Sequence, residues 1–250
     1  QYVLRLAEAA GGIVQPGDER PRLQTLPAAR TRMAELLSEG RQATGAQGPV
    51  IALHAGARNG QAKRWPARHW SALIDRLVGE LDALVVLTGA PNEAPLADEI
   101  AAHAQHAALN LCGRTALPEL TALLAACDLV VSGDSGPMHI ACAVQTPVVV
   151  LHGPTDPAIS GPTDPDALIV RHALWCSPCY DASATAECRF GNPVCMKQIA
   201  PSVVFAAARR QLLRNGWQPK HAVAPAAMEH RRDQDAAKSG HPHVPATTQR

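Results

Sequence analysis

Residues 128–144 read Asp128-Leu129-Val130-Val131-Ser132-Gly133-Asp134-Ser135-Gly136-Pro137-Met138-His139-Ile140-Ala141-Cys142-Ala143-Val144. An apolar run of strand length, Asp128 to Ser132, passes through small polar residues into a stretch with Pro near its first turn and an apolar continuation, Gly136 to Val144. That is a strand feeding a helix across a tight turn. The same alternation extends on both sides. Pro49 to His54, Ala83 to Thr88, a short piece near Leu109 and Pro147 to His152 read as strands; Ala67 to Glu80, Pro91 to Gln105 and Pro118 to Ala126 read as helices. The strands are continuous Val, Ile and Leu rather than alternating, as expected of a parallel sheet covered by helices on both faces. The pattern predicts a doubly wound α/β domain whose functional loops lie at the carboxyl ends of the strands.

Outside that core the chain is less regular. Tyr2 to Ala10 reads as the end of a helix closed by Gly11 and Gly12, and because the chain opens inside it an upstream portion is expected to be missing. Pro27 to Glu39 reads as an amphipathic helix and Gly40 to Gly48 as a polar linker, so that 1–48 is expected to be a remnant of a preceding domain with its linker and 49–215 the compact domain. Pro201 to Leu213 reads as a closing helix. Beyond it, 216–250 is expected to be a disordered tail: Gln218 to Arg250 has too few large hydrophobes to order itself, and His241 and His243 read as solvated rather than metal-bound.

The composition narrows the function. The 250 residues are 46% hydrophobic and 18% charged, the profile of a globular chain. A net charge of +1 argues against a nucleic-acid surface while leaving room for a small anion held by a few placed cations. No apolar run has the roughly 20 residues of a membrane-spanning helix, and no signal peptide opens the chain, so the expected compartment is the cytoplasm. Cys112, Cys127 and Cys142 sit in apolar contexts where a thiol acts as a small hydrophobe.

Four strand-end loops carry the candidate chemistry. The first, His54 to Pro66, is glycine-containing and holds three cations, Arg58, Lys63 and Arg64; it can fold over phosphates or remain a solvated loop. The second, Thr88-Gly89-Ala90-Pro91-Asn92-Glu93, places a carboxylate at a helix start, where Glu93 can accept hydrogen bonds from a ribose or simply complement the helix dipole. In the third, backbone N–H groups at the helix start make an anion site suited to a pyrophosphate, with Gly136 permitting close approach, Ser135 offering a hydroxyl and His139 one turn in; alternatively Asp134 or Ser135 caps the helix. The fourth, His152 to Pro157, adds backbone donors and a Thr hydroxyl. Gly133-Asp134-Ser135-Gly136 also spells the nucleophile neighbourhood of chymotrypsin-like proteases. Those are all-β proteins, and the Gly-x-Ser-x-Gly elbow of α/β-hydrolases is missing too, so Ser135 is not expected to be a nucleophile.

Together these segments resemble one known family. Ala52 to Ala57 with Lys63-Arg64-Trp65-Pro66, Leu87-Thr88-Gly89 with Glu93, Asp134 to His139, and Gly153 to Pro157 are similar in order and spacing to the donor half of the glycosyltransferases that include the lipopolysaccharide heptosyltransferases, glycosyltransferase family 9. The resemblance covers Val50 to Ile199. It implies a Rossmann-like C-terminal domain of a two-domain GT-B enzyme, the N-terminal domain being largely missing, and inverting transfer of heptose from ADP-heptose to the lipopolysaccharide inner core. Carried onto this chain, it puts Lys63 and Arg64 near the phosphates and sugar and Glu93 on the adenosine ribose. Asp134, Ser135, Gly136 and His139 would then cradle pyrophosphate and heptose. The physics fits these roles, because cations and a helix N-terminus stabilise charge developing on a departing diphosphate, and no metal is required for that.

The resemblance also implies peripheral contact with the cytoplasmic face of the inner membrane. Ala55 stands where the family commonly has Pro, Gly133 where it often has Asn and His152 where Phe is usual, which bears on the exact donor. The family's general base, an Asp of the N-terminal domain, has no counterpart in the sequence, so a donor-binding module incomplete for catalysis stays open beside the active transferase, as does a GT-B enzyme using another sugar nucleotide. Cys176, Cys179, Cys188 and Cys195 form C-x2-C-x8-C-x6-C in a loop otherwise rich in Ser, Pro, Asn and Gly. That spacing suits a structural zinc ion, while cysteines here are also familiar from part of the family without metal.

Overall fold

The computed structural model describes residues 5, 8–15, 20–57, 60–179 and 187–218. The tail beyond 218, and most of the expected Tyr2 to Ala10 helix, lie outside the described residues. The Gly11 N–H does bond the Glu8 carbonyl at 2.9 Å, with Gly11 in the left-handed region.

The elements follow in the order α1 (Pro27–Thr44), β1 (Val50–His54), α2 (Ala67–Leu81), β2 (Leu84–Thr88), α3 (Ala94–His103), β3 (Leu109–Asn110), α4 (Leu117–Ala125), β4 (Leu129–Gly133), α5 (Gly136–Ala143), β5 (Val148–Leu151), α6 (Pro157–Ser160), β6 (Leu168–Val170), α7 (Val194–Lys197) and α8 (Pro201–Arg214). All six strands are parallel, in the order β3-β2-β1-β4-β5-β6. From β1 the chain builds outward to β3, then returns to β4 on the other side of β1. The topological switch therefore falls between β1 and β4, where such sheets open a crevice beyond their carboxyl ends.

The pleat distributes the strand side chains between two cores. Ile51, Leu53, Val85, Leu87, Val131 and Val149 face a cluster completed by Trp70, Leu73 and Leu77 of α2, Ile100 of α3 and Phe205 and Leu212 of α8. Ala52, Val86, Val130, Val148 and Val150 face the other, completed by Met33 and Leu37 of α1, Leu123 of α4 and Met138 of α5. Both faces are apolar because both are covered, which explains why the strands read as unbroken hydrophobic runs.

Several boundaries differ from expectation. The stretch read as a linker from Gly40 is helical as far as Thr44, and α1 ends when Gly45 turns left-handed (φ 74°) and its N–H bonds the Arg41 carbonyl at 2.8 Å. Gly40 suits this helix because a Cβ there would stand 2.9 Å from Leu109 Cδ2; its lack of a side chain lets α1 lie close to the sheet edge. Pro91 to Glu93 is a 3-10 turn leading into α3, and β6, three residues long, is a strand the pattern did not announce. Cys112, Cys127 and Cys142 are buried, and burial pushes the Cys127 thiol up to about 12.

Candidate donor site at the sheet switch point

The ends of β1 and β4 bring the first and third loops together. Gln61–Lys63 forms a 3-10 turn, and the Lys63 ammonium donates to the Asp134 carbonyl oxygen at 3.1 Å and lies 3.7 Å from Asp134 Oδ2. The same carboxylate oxygen accepts from Ser160 Oγ of α6 at 3.1 Å. Asp134 is buried, so its charge is met by a cation and a hydroxyl rather than by bulk water. The loop is anchored two residues beyond Lys63, where the buried Trp65 donates its indole N–H to the Ile199 carbonyl at 2.8 Å and packs edge-on against Trp70.

At the start of α5, Ser135 occupies the cap position in an extended conformation, and its side chain makes no cap hydrogen bond. Its hydroxyl is instead 3.0 Å from Ser132 Oγ and 3.3 Å from the Gly133 carbonyl oxygen. The alternative in which Ser135 caps the helix is thus not realised. Gly136 is exposed, and a Cβ added to it would meet nothing within 4 Å. Among the described residues no contact requires a glycine there. His139 is exposed on the first turn of the same helix.

Glu93 closes the other side. Its Oε2 accepts the Ala90 N–H at 2.8 Å, and its carboxylate lies so close to Gly56 and Gly89 that a side chain at Gly56 would run into it. Glu93 therefore secures its own turn while spanning the ends of β1 and β2. His54 and His152, at the ends of β1 and β5, are buried, and burial lowers both imidazoles below their ordinary range. The charge of Glu93 and a hydrogen bond from the His54 ring to the Thr88 carbonyl oppose the shift of His54; the charge of Asp134 opposes that of His152. His152 Nδ1 lies 3.1 Å from Thr155 Oγ1, which fixes the fourth loop beside Asp134.

Arg64 is not brought to this group. It lines a separate cavity of about 480 Å³ with Glu99 of α3, Glu187 and Lys197. Cys176, Cys179, Cys188 and Cys195 share the lining of another cavity, of about 630 Å³. Among the described residues, no three His, Cys, Asp or Glu side chains stand together as a ready metal-binding group. Residue-type reasoning had not singled out Ser160 or Ser132. Ser132 lies three residues from Ser135, within the turn itself, whereas Ser160 has no local signal, since it reaches Asp134 from 26 residues away.

A parallel sheet in this strand order sets a cation, an uncapped helix end and an open glycine at its switch point, the place where sheets of this class bind ligands. The profile of glycosyltransferase family 9 (heptosyltransferase) matches residues 16–189, and the chain belongs to that family. It is 37% identical over 158 residues to lipooligosaccharide heptosyltransferase 2 of Haemophilus influenzae, covering 61% of this chain and 44% of that protein. The structure of the E. coli ADP-heptose LPS heptosyltransferase II superposes with a TM-score of 0.64 at 28% identity, over 78% of this chain and 54% of that one. The family 9 glycosyl transferase from Veillonella parvula shares the fold, with a TM-score of 0.71 at 23% identity, over 84% of this chain and 58% of that one. The chain thus spans about half the length of the relatives it matches. Among the described residues no helix is long and apolar enough to cross a membrane.

Proposed function

We propose that this chain is the donor-binding part of a glycosyltransferase that moves heptose from ADP-heptose onto the inner core of lipopolysaccharide, with inversion at the anomeric carbon. The observation that carries the proposal is the convergence of Lys63, Asp134 and the uncapped, glycine-opened start of α5 at the switch point. In this reading the diphosphate sits on the N-terminus of α5, the Gly136 backbone gives it close approach, and Ser135 and His139 contact its oxygens or the sugar. Lys63 is positioned by Asp134 to meet charge that develops as the bond from heptose C1 to the phosphate oxygen breaks and ADP departs. Glu93 accepts from the ribose hydroxyls with the carboxylate oxygen that does not hold Ala90. The acceptor hydroxyl attacks from the opposite face and yields its proton to a base that the family carries in its other domain. No metal takes part in that step. The working place is the cytoplasm, at the cytoplasmic face of the inner membrane where a lipid-linked core is built, and nucleic acid is no partner. The donor-binding body is 49–215, to which α1 adds a covering helix.

A second reading is a donor-binding module whose transfer step needs an acceptor-binding domain. Calorimetric titration with ADP-heptose, ADP, UDP and GDP, repeated with Lys63→Ala and His139→Ala, tests the donor site. Selective binding of the adenine ligands, weakened in both variants, is expected; a preference for UDP or GDP would overturn the donor assignment. Binding of ADP-heptose without transfer to a core acceptor would select the module.

A further inference from the structure

The fourth loop of the crevice is fixed at its root. His152 is fully buried with its Nδ1 3.1 Å from Thr155 Oγ1, the Ser177 hydroxyl donates to the Gly153 carbonyl, and a Cβ on Gly153 would stand 2.5 Å from Met196 Sδ of α7. Beyond this root the chain makes the single helical turn α6. Asp156 caps it, its carboxylate accepting the Ala158 N–H at 2.9 Å, and the Ile159 and Ser160 N–H groups both bond the Asp156 carbonyl at 3.0 Å. Gly161 ends it with its N–H on the Pro157 carbonyl at 2.9 Å, so close that a Cβ on Gly161 would run into that oxygen. The turn takes a definite shape from its own backbone and one capping side chain.

Packing does not explain what the turn is for. None of its four residues is buried, and Ile159 is 87% exposed. What it brings to the crevice is a hydroxyl. Ser160 Oγ lies 3.1 Å from Asp134 Oδ2 and 3.4 Å from the Asp156 carbonyl oxygen. A hydroxyl has one proton, and the shorter contact to the charged acceptor takes it in preference to the ordinary bond back to the carbonyl four residues earlier. Oδ2 is also the carboxylate oxygen that stands 3.7 Å from the Lys63 ammonium, which itself donates to the Asp134 carbonyl at 3.1 Å. The Asp134 side chain is only 9% exposed, so bulk water does little to orient its carboxylate. Rotation about its Cα–Cβ bond would carry the charge away from Lys63, and the bond from Ser160 opposes that rotation. Side chains from the ends of β1, β4 and β5 thus meet on one carboxylate.

We propose that Ser160 is a positioning residue of the donor site: its hydroxyl fixes the Asp134 carboxylate, and the fixed carboxylate holds the Lys63 ammonium where a diphosphate is met. Ser160 acts through Asp134 and needs no contact with the ligand. Its bearing on ADP rests on the reading of the crevice given above, whereas its coupling to Lys63 through Asp134 does not.

The full chain, the single variants Ser160→Ala, Ser160→Thr and Lys63→Ala, and the double variant with Ala at both positions are titrated calorimetrically with ADP into the millimolar range, and each is unfolded in urea without nucleotide. Ser160→Ala is expected to weaken ADP binding about three- to tenfold, the effect of losing one hydrogen bond. Ser160→Thr, which keeps the hydroxyl, should bind as the parent does. Once Lys63 is gone, Ser160→Ala should cause no further loss of affinity. In urea, the loss of stability in the double variant should depart from the sum of the single losses, because both side chains act on one carboxylate. Where Lys63→Ala does weaken ADP binding, an unchanged affinity in Ser160→Ala, or the same loss with and without Lys63, would overturn the positioning role. Additive losses in urea would overturn the coupling itself. Non-additive losses in urea, with ADP affinity indifferent to both substitutions, would leave the coupling standing and remove the diphosphate from Lys63.

Discussion

The Lys63 ammonium reaches Asp134 from 71 residues away, donating to its carbonyl at 3.1 Å and pairing with its carboxylate at 3.7 Å. The two ends of this contact lie on the loops after β1 and β4, the neighbouring strands between which the sheet reverses its order. The pair closes the floor of the crevice, and its side chains are only 16% and 9% exposed.

Replacing Lys63 with Ala removes the ammonium from the buried Asp134 carboxylate and leaves the Ser160 hydroxyl donating to it. Partial loss of a buried charge pair is expected to destabilise the chain by about 1–3 kcal/mol, read in urea unfolding. ADP affinity should fall at least about tenfold, the effect of losing one charge-assisted contact. Asp134→Asn, which keeps the shape and the Ser160 contact, should cost less stability and misplace Lys63. If ADP binds Lys63→Ala as tightly as the parent, the ammonium does not meet the diphosphate.

Gly136→Ala separates fold from ligand. With nothing within 4 Å of the added methyl, stability should hold or rise by up to about 1 kcal/mol, because Ala favours a helix over Gly. The methyl would stand where the diphosphate approaches, so ADP binding should weaken. Unchanged Tm with weakened binding in calorimetry is the expected pair of results; unchanged binding would move the phosphate elsewhere.

Glu93 separates its two roles by substitution. Glu93→Gln keeps an oxygen for the Ala90 N–H, so stability should stay within about 0.5 kcal/mol, whereas Glu93→Ala loses the bond and about 1 kcal/mol. If the carboxylate also accepts from the ribose, both variants bind ADP more weakly while only Ala lowers Tm. An effect on Tm alone would reduce Glu93 to a cap.

Acid should destabilise the chain through its buried imidazoles. His54 and His152 are lowered by burial, so the folded state holds them neutral where the unfolded chain takes up protons near its ordinary value of about 6.5. Below that pH the unfolded state binds more protons, and stability falls as pH drops from about 6.5 towards the folded values; above it the contribution is complete. Tm at pH 7.5 should exceed that at pH 5.5, and the difference should shrink in His54→Gln and His152→Phe. An equal Tm at both pH values would mean that neither ring is held neutral by the fold.

Much of this was legible in the chain itself. Continuous Val and Leu runs at strand length, each followed by a helix-period stretch, determined a parallel α/β sheet covered on both faces, because only a doubly buried strand tolerates apolar residues in succession. The Ser-Gly-Asp-Ser-Gly-Pro sequence determined a strand-to-helix turn, because Pro at a first helical turn and Gly beside it are local backbone requirements. The tertiary structure alone decided which loops meet. That Lys63 pairs with Asp134 while Arg64, one residue on, lines a different cavity follows from the order of strands β1 and β4 and from Trp65 locking the loop between them. Gly40, which reads as the start of a linker, continues a helix because α1 covers the sheet, and the three residues of β6 form a strand because β5 offers an edge. The Ser160 hydroxyl of α6 reaches Asp134 after β4 for the same reason: hydrogen bonds between elements depend on which of them pack side by side, and no spacing along the chain encodes that.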